Sequence, residues 1–254
     1  MLASRAMDEE RRIEHGRSFA TVSDAYDRGR PTYPAEAVAW MVGPEPRVVL
    51  DVGAGTGALT RPLVAAGHTV IAVDPLLDML GHLRRRSLGP EVAAVAGSAE
   101  RLPVCDASVD TVTVAAAYHW FDEETAVPEL ARVLRPGGVL AMAWNVRDES
   151  VPWVRRMSRL IGHDADLPDP TGRLGLSGLF GPVEWAQFRL FQHVDKPRLL
   201  DLVRSRSYVA VLAPDERDQV LDRVAELYDK QRGDMIGLQL PYTTHCLRAV
   251  RLQA

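Results

Sequence analysis

Apolar residues in this chain fall into short blocks that alternate between continuous runs and a helical period. Arg47–Val52 is a run of β-branched and apolar residues, followed at once by a glycine-rich turn and a helical stretch from Ala58 to Ala66. The same unit recurs: Thr69–Val73 then Pro75–Arg86, Val92–Ala96 then a short helix or turn, Asp110–Ala115 then Glu123–Leu134, and Gly138–Trp144 then Val151–Ile161. Strands that alternate with helices, and that are apolar throughout instead of at every second residue, predict a parallel sheet covered on both faces. Beyond Gly162 the pattern changes. A turn-rich stretch from Asp164 to Pro182 leads into period-two alternation over Trp185–Val194, then helices near Lys196–Ser205 and Pro214–Gln231, and the chain closes on Thr243–Leu252. The expected fold is α/β, a doubly wound, mostly parallel sheet of seven strands. Two helices separate the last two strands, so the final strand is expected to return antiparallel at the sheet edge.

Upstream of the first strand, the apolar spacing from Phe19 to Trp40 is helical on both sides of Arg30-Pro-Thr-Tyr-Pro34, where two prolines forbid one continuous helix. Residues 1–16 are charged and lack an apolar stripe, which predicts a frayed arm or a solvated helix. The expected organisation is a single structural domain in three parts. These are an N-terminal arm and helical cover (1–45), a ligand-binding core (46–146), and C-terminal strands with further helical cover (147–254).

Composition narrows the function classes. The 254 residues are 46% apolar and 25% charged, ordinary globular values, and no stretch approaches the ~20 uncharged residues of a membrane helix. A formal charge of -4 gives no general attraction to phosphate backbones or anionic lipid, so neither nucleic acid nor membrane is an expected partner. Cys105 and Cys246 lie far apart and outside any ligand pattern, which argues against a disulfide framework or a zinc site and fits a reducing cytoplasm. The charged N-terminus does not read as an export signal.

The chemistry concentrates in Val48-Val-Leu-Asp51-Val-Gly53-Ala-Gly55-Thr-Gly57-Ala-Leu-Thr60. Its glycines let the backbone turn sharply and let a ligand approach with no Cβ in the way. The turn alone is ambiguous, because Gly53 to Ala58 also satisfies a loose dinucleotide fingerprint with Asp74 as its acidic partner. Asp51 separates the readings. A carboxylate two residues before the first glycine would repel a pyrophosphate and suits a cationic amine. Asp74 ends the second strand, where it can accept from ribose hydroxyls, cap the Pro75 helix, or do both.

Further segments follow in order: Gly97-Ser-Ala-Glu100-Arg-Leu-Pro103, Ala115-Ala-Ala-Tyr-His-Trp-Phe-Asp122 and Leu134-Arg-Pro-Gly-Gly138. Together with Phe19, Tyr26 and the Arg30–Pro34 entry, they make the sequence resemble the class I S-adenosylmethionine-dependent methyltransferases over about Phe19 to Trp144. The resemblance is to the small-molecule group that includes ubiquinone/menaquinone-pathway and trans-aconitate enzymes. It implies a Rossmann-like fold and S-adenosylmethionine as cofactor, with Gly53, Ala54 and Gly55 along the methionine part and Asp74 on the ribose. It also implies Ser98, Ala99 and Glu100 beside the adenine, and Tyr26, Arg30, Asp51, Pro75, Met79, Ala116 and Trp120 around the cofactor. Many relatives have Asp where Ser98 stands, so a hydroxyl or a backbone carbonyl must accept from the adenine amino group here.

His119 follows the fourth strand, at the carboxyl end of the sheet where open α/β proteins bind ligands; it reads as a general base or as a polar wall residue. The Asn-Pro-Pro-aromatic motif of amino-directed methyltransferases is missing after the fourth strand, which disfavours DNA methylation. The expected protein transfers a methyl group to a small-molecule acceptor, without metal, as a monomer or homodimer. The alternatives are a catalytically silent cofactor-binding protein and a nicotinamide oxidoreductase. The N-terminal helices and the 196–232 segment are expected to cover the pocket.

Overall fold

The computed structural model describes residues 23–85, 89–162 and 169–253. The N-terminal arm, Phe19 and Arg86 lie outside them. The elements run α1 (Ser23–Gly29), α2 (Ala35–Val42), β1 (Val48–Val52), α3 (Thr60–Ala65), β2 (Thr69–Asp74), α4 (Leu77–Arg85), β3 (Val92–Ala96) and β4 (Val109–Ala115). A 3-10 turn (Tyr118–Trp120) precedes α5 (Glu123–Val133), β5 (Leu134–Arg147), α6 (Pro152–Ile161), α7 (Thr171–Ser177) and β6 (Glu184–Val194). The chain ends with α8 (Lys196–Arg204), α9 (Ser207–Ala210), α10 (Pro214–Arg232) and β7 (Leu238–Val250).

The seven strands form one sheet in the order β3-β2-β1-β4-β5-β7-β6, with six parallel strands and the last antiparallel. The doubly wound α/β fold is as the apolar runs predict. The position of β7 is a correction: it lies between β5 and β6, and the edge on that side is β6. The burial of each strand accounts for the difference. In β6, Gln192 and Val194 alone are fully buried and exposed positions recur at every second residue, whereas β7 is buried at most positions. Period two was thus the mark of an edge. β7 also begins earlier than its apolar run suggests, because Pro241 reads against a strand; its carbonyl accepts from the Asp148 N–H at 3.0 Å. In the turn-rich stretch the structure places α7, whose two glycines obscure its helical period.

The chain forms two compact units. One comprises residues 32–146, 166–190 and 243–254. Within it, β1 shows why both sheet faces are apolar: Val49 packs with Val38, Met41, Leu59 and Leu63 on one side, while Leu50 and Val52 join Val112, Val114, Leu130 and Met142 on the other. Cys246 lies in the first of these cores, where burial pushes its thiol up to about 12. The register Val49↔Thr111, Leu50↔Val112, Asp51↔Thr113 and Val52↔Val114 brings the carboxyl ends of β1 and β4 side by side.

The other unit comprises residues 1–31, 147–165 and 191–242, and its described elements are chiefly helical. Arg28 on α1 pairs with Asp201 on α8 at 2.6 Å, and Gln192 donates to the Gly29 carbonyl at 2.7 Å. The backbone of α8 lies hard against Gly29, where an added Cβ would lie 2.3 Å from the Leu202 nitrogen. Gly29→Ala is therefore expected to cost about 1–3 kcal/mol through overpacking. Gly175→Ala, in α7 with nothing within 4 Å of the added carbon, is expected to gain about 0.5–1 kcal/mol. Urea denaturation of both variants checks the pair, and equal stability would contradict the packing described.

Candidate functional site

The carboxyl ends of β1, β2 and β4 carry the residues singled out by the sequence. Because the strands are parallel and adjacent, Asp51, Asp74 and Ala115 end on one side of the sheet. The chain after β1 stays close to β2: Gly53 and Ala54 donate to the Val73 carbonyl at 2.8 and 3.1 Å. Gly53, Gly55 and Gly57 all have positive φ, so side chains at these positions would be strained. They are not equivalent. A Cβ on Gly53 would lie 2.5 Å from the Ala117 Cβ, so this glycine lets the two loops meet. A Cβ on Gly55 would meet nothing within 4 Å, which leaves its backbone open on that side.

Two buried carboxylates frame this loop. Asp51 is 1% exposed, and its oxygens accept from the Thr60 hydroxyl at 2.6 Å and the Thr113 hydroxyl at 3.0 Å. Asp74 accepts from the Gly55 N–H at 2.9 Å and the Leu76 N–H at 2.8 Å, so it both ties down the loop and caps the turn into α4. Neither carboxylate has an ion-pair partner among the described residues. Burial pushes the Asp51 carboxyl up to about 6, against the two hydroxyl bonds, with the Asp74 charge adding to the rise. Burial raises Asp74 as well, opposed by its two backbone donors.

Thr60 and Thr113 were not singled out by the sequence, although a signal existed. Thr113, like Thr111, is a buried hydroxyl residue in β4, and it stands in register with Asp51.

The remaining candidates divide by place. Pro75 and Ala116 are exposed, Ser98, Glu100 and Trp120 are half-buried, and Ala54, Met79 and Ala99 are buried. Ala116 has φ 51°, a left-handed conformation that costs an alanine about 1–2 kcal/mol; its N–H donates to the Ala143 carbonyl at 2.9 Å. His119 is exposed on the 3-10 turn, its ring centroid 4.7 Å from that of Trp120. The Glu100 carboxylate accepts from the Asp122 N–H at 3.0 Å, linking the loop after β3 to the turn that carries His119. Tyr26 and Arg30 belong to the helical unit. There, the Arg30 guanidinium donates to the Ser205 hydroxyl and carbonyl at 3.1 and 3.0 Å.

The burial of Asp51 has a measurable cost. Its carboxyl binds a proton more tightly in the folded protein than in the unfolded chain, so stability from this group falls as pH rises from about 4 to about 6 and stays low above that. Asparagine keeps partners for both hydroxyls without the charge. Asp51→Asn is expected to be more stable at pH 7.5 by up to about 3 kcal/mol, from roughly two pK units at 1.36 kcal/mol each, and to lose the gain as pH falls toward 4. Denaturation from pH 4 to pH 8 measures it; a variant less stable than the parent at pH 7.5 would contradict the account.

Comparison with known proteins places this arrangement. Residues 50–142 match the family model described as a methyltransferase domain. A Mycobacterium tuberculosis protein named only as a methyltransferase is 45% identical over 91% of this chain and 95% of its own length. A Schizosaccharomyces pombe protein named as methyltransferase-like is 34% identical over 87% of this chain and 91% of its own. Among solved structures, one from Anaeromyxobacter dehalogenans assigned as a type II methyltransferase superposes with a TM-score of 0.65 at 26% identity, covering 89% of this chain and 99% of that one. No helix among the described residues is long and apolar enough to cross a membrane. With the sheet order, the glycine loop and these relatives in agreement, the chain belongs to the class I S-adenosylmethionine-dependent methyltransferases.

Proposed function

We propose that this chain binds S-adenosylmethionine at the Asp51–Asp74 loop and transfers its methyl group to a small-molecule acceptor with an oxygen, nitrogen or carbon nucleophile. The observation that carries the reading is the pair of buried carboxylates around an open glycine backbone with no cation beside them. Such a site favours a ligand with positive charge and opposes a pyrophosphate. When bound, S-adenosylmethionine supplies a sulfonium methyl group that is already activated, so alignment and exclusion of water are the protein's main tasks.

Each residue has a part in that alignment. Asp74, anchored by two N–H donors, keeps acceptor capacity for the ribose hydroxyls. Gly53, Ala54 and Gly55 let the backbone approach the methionine moiety. Asp51 acts through its charge on the cationic end and, through Thr60 and Thr113, by holding β1 against α3 and β4. Ser98 and Ala99 border the adenine, with Pro75, Ala116 and Trp120 as walls, Met79 as support beneath, and Glu100 as a strut to Asp122. His119 meets the acceptor.

S-adenosylmethionine and S-adenosylhomocysteine are expected to raise the melting temperature, and NAD is not, since only a ligand of the native state stabilises it. Asp74→Ala should weaken S-adenosylhomocysteine binding by about 1.5–3 kcal/mol in calorimetry; unchanged affinity in a folded variant removes Asp74 from the site. His119→Ala should leave cofactor affinity intact and lower kcat/KM for an acceptor found by transfer of a labelled methyl group. If His119 also takes the proton, kcat falls ~100-fold and the acidic limb of the rate profile flattens. Unaltered kcat and KM would leave His119 a structural role alone.

A further inference from the structure

The segment between β3 and β4 forms neither helix nor strand, and a single bridge, Ser98↔Arg101, is its only internal ladder contact. It nevertheless lines a cleft of about 780 Å³ with Gly97, Ser98, Arg101 and Pro103 on one side and Glu129 and Arg132 on the other. The segment folds back tightly on the end of β3: a Cβ on Gly97 would lie 2.7 Å from the Pro103 Cδ and 3.1 Å from a Val73 methyl.

What holds it there comes from one helix. On α5, Glu129 accepts from the Leu102 N–H at 2.9 Å and from Arg132 through both oxygens, at 2.6 and 2.8 Å. Arg132 in turn donates to the Leu102 carbonyl at 3.2 Å, the Val104 carbonyl at 3.0 Å and the Asp106 carboxylate at 2.5 Å. Two side chains therefore grip Leu102, Val104 and Asp106, using a planar guanidinium fork that lysine cannot reproduce. The hydrogen bonds from Arg132, helped by the Leu102 N–H and the Arg132 charge, hold the Glu129 carboxyl below the usual range against its partial burial, so the grip persists across neutral pH.

We propose that Arg132, oriented by Glu129, is a positioning residue for cofactor recognition: it fixes the 98–106 segment so that main-chain groups there, and not the Ser98 side chain, read the amino edge of the adenine. The inference rests on the proposed S-adenosylmethionine site. Its physical basis is that a side-chain carboxylate tolerates a mobile loop, because it can swing to its partner, whereas main-chain groups select a ligand only if the loop is held. With serine at position 98, the reading falls to the main chain, and α5 supplies the hold.

The test compares S-adenosylhomocysteine with its deaminated inosine analogue, by calorimetry, in the parent and in Ser98→Ala, Arg132→Lys and Asp106→Asn. The parent is expected to prefer the adenine form, and Ser98→Ala to keep that preference within about threefold. Arg132→Lys should lose about tenfold in affinity for the adenine form, with little change for the inosine form, so that the preference collapses. A purely structural role would lower the melting temperature and weaken both ligands alike. Asp106→Asn takes the charge from one exposed anchor and keeps the fold testable; it should move the preference a few-fold in the same direction. Full preference in folded Arg132→Lys and Asp106→Asn overturns the inference, as does its loss in Ser98→Ala, while the proposed function stands. A parent that binds neither ligand overturns both.

Discussion

A carboxylate removed from water with no cation beside it is the constraint around which this site is arranged. Asp51 is held by two neutral hydroxyls, one from the helix after the glycine loop and one from the neighbouring strand, and burial outweighs both in setting its proton affinity. Asp74 repeats the arrangement one strand over, with backbone N–H groups in place of hydroxyls. The same bonds shape the loop: Gly55 is fixed by Asp74, Thr60 by Asp51, and the backbone is left open at the left-handed Gly55. Electrostatic cost and loop geometry therefore come from one set of contacts, and a bound cation would relieve the first without disturbing the second.

The sheet explains why these groups meet. Parallel pairing places the carboxyl ends of β1, β2 and β4 together, and the register between Asp51 and Thr113 delivers the second hydroxyl. The loop after β4 closes on Gly53 through Ala117, and it reaches that position through a left-handed alanine, Ala116. Strain of this kind persists only where surrounding contacts over-determine the backbone. Here these are the Ala143 carbonyl, which accepts from Ala116, and the Glu100 carboxylate, which holds Asp122.

Much of this was legible in the sequence, for stated physical reasons. Strands buried on both faces read as continuous apolar runs, which located β1, β2 and β4 nearly to the residue, and the small apolar run of the edge strand β3 stood out in the same way. The glycine spacing and the two aspartates located the site because each answers a local requirement. Long-range pairings were not legible. Thr113 looks like ordinary strand composition until its register with Asp51 is known, and the grip of Glu129 and Arg132 on Leu102 and Val104 depends on how α5 lies over a loop distant in sequence. The edge was misread because a long helical excursion between β6 and β7 says nothing about which side of β6 the chain returns to, while the alternation within β6 did.

The most direct test is the titration of the Asp51 carboxyl carbon by nuclear magnetic resonance, in the free protein and with saturating S-adenosylmethionine. The expected midpoint is about 6 in the free protein, with a clear fall when the cationic ligand is bound. An Asp51 that titrates in the ordinary carboxylate range before ligand is added, or whose midpoint is unmoved at saturation, would contradict it.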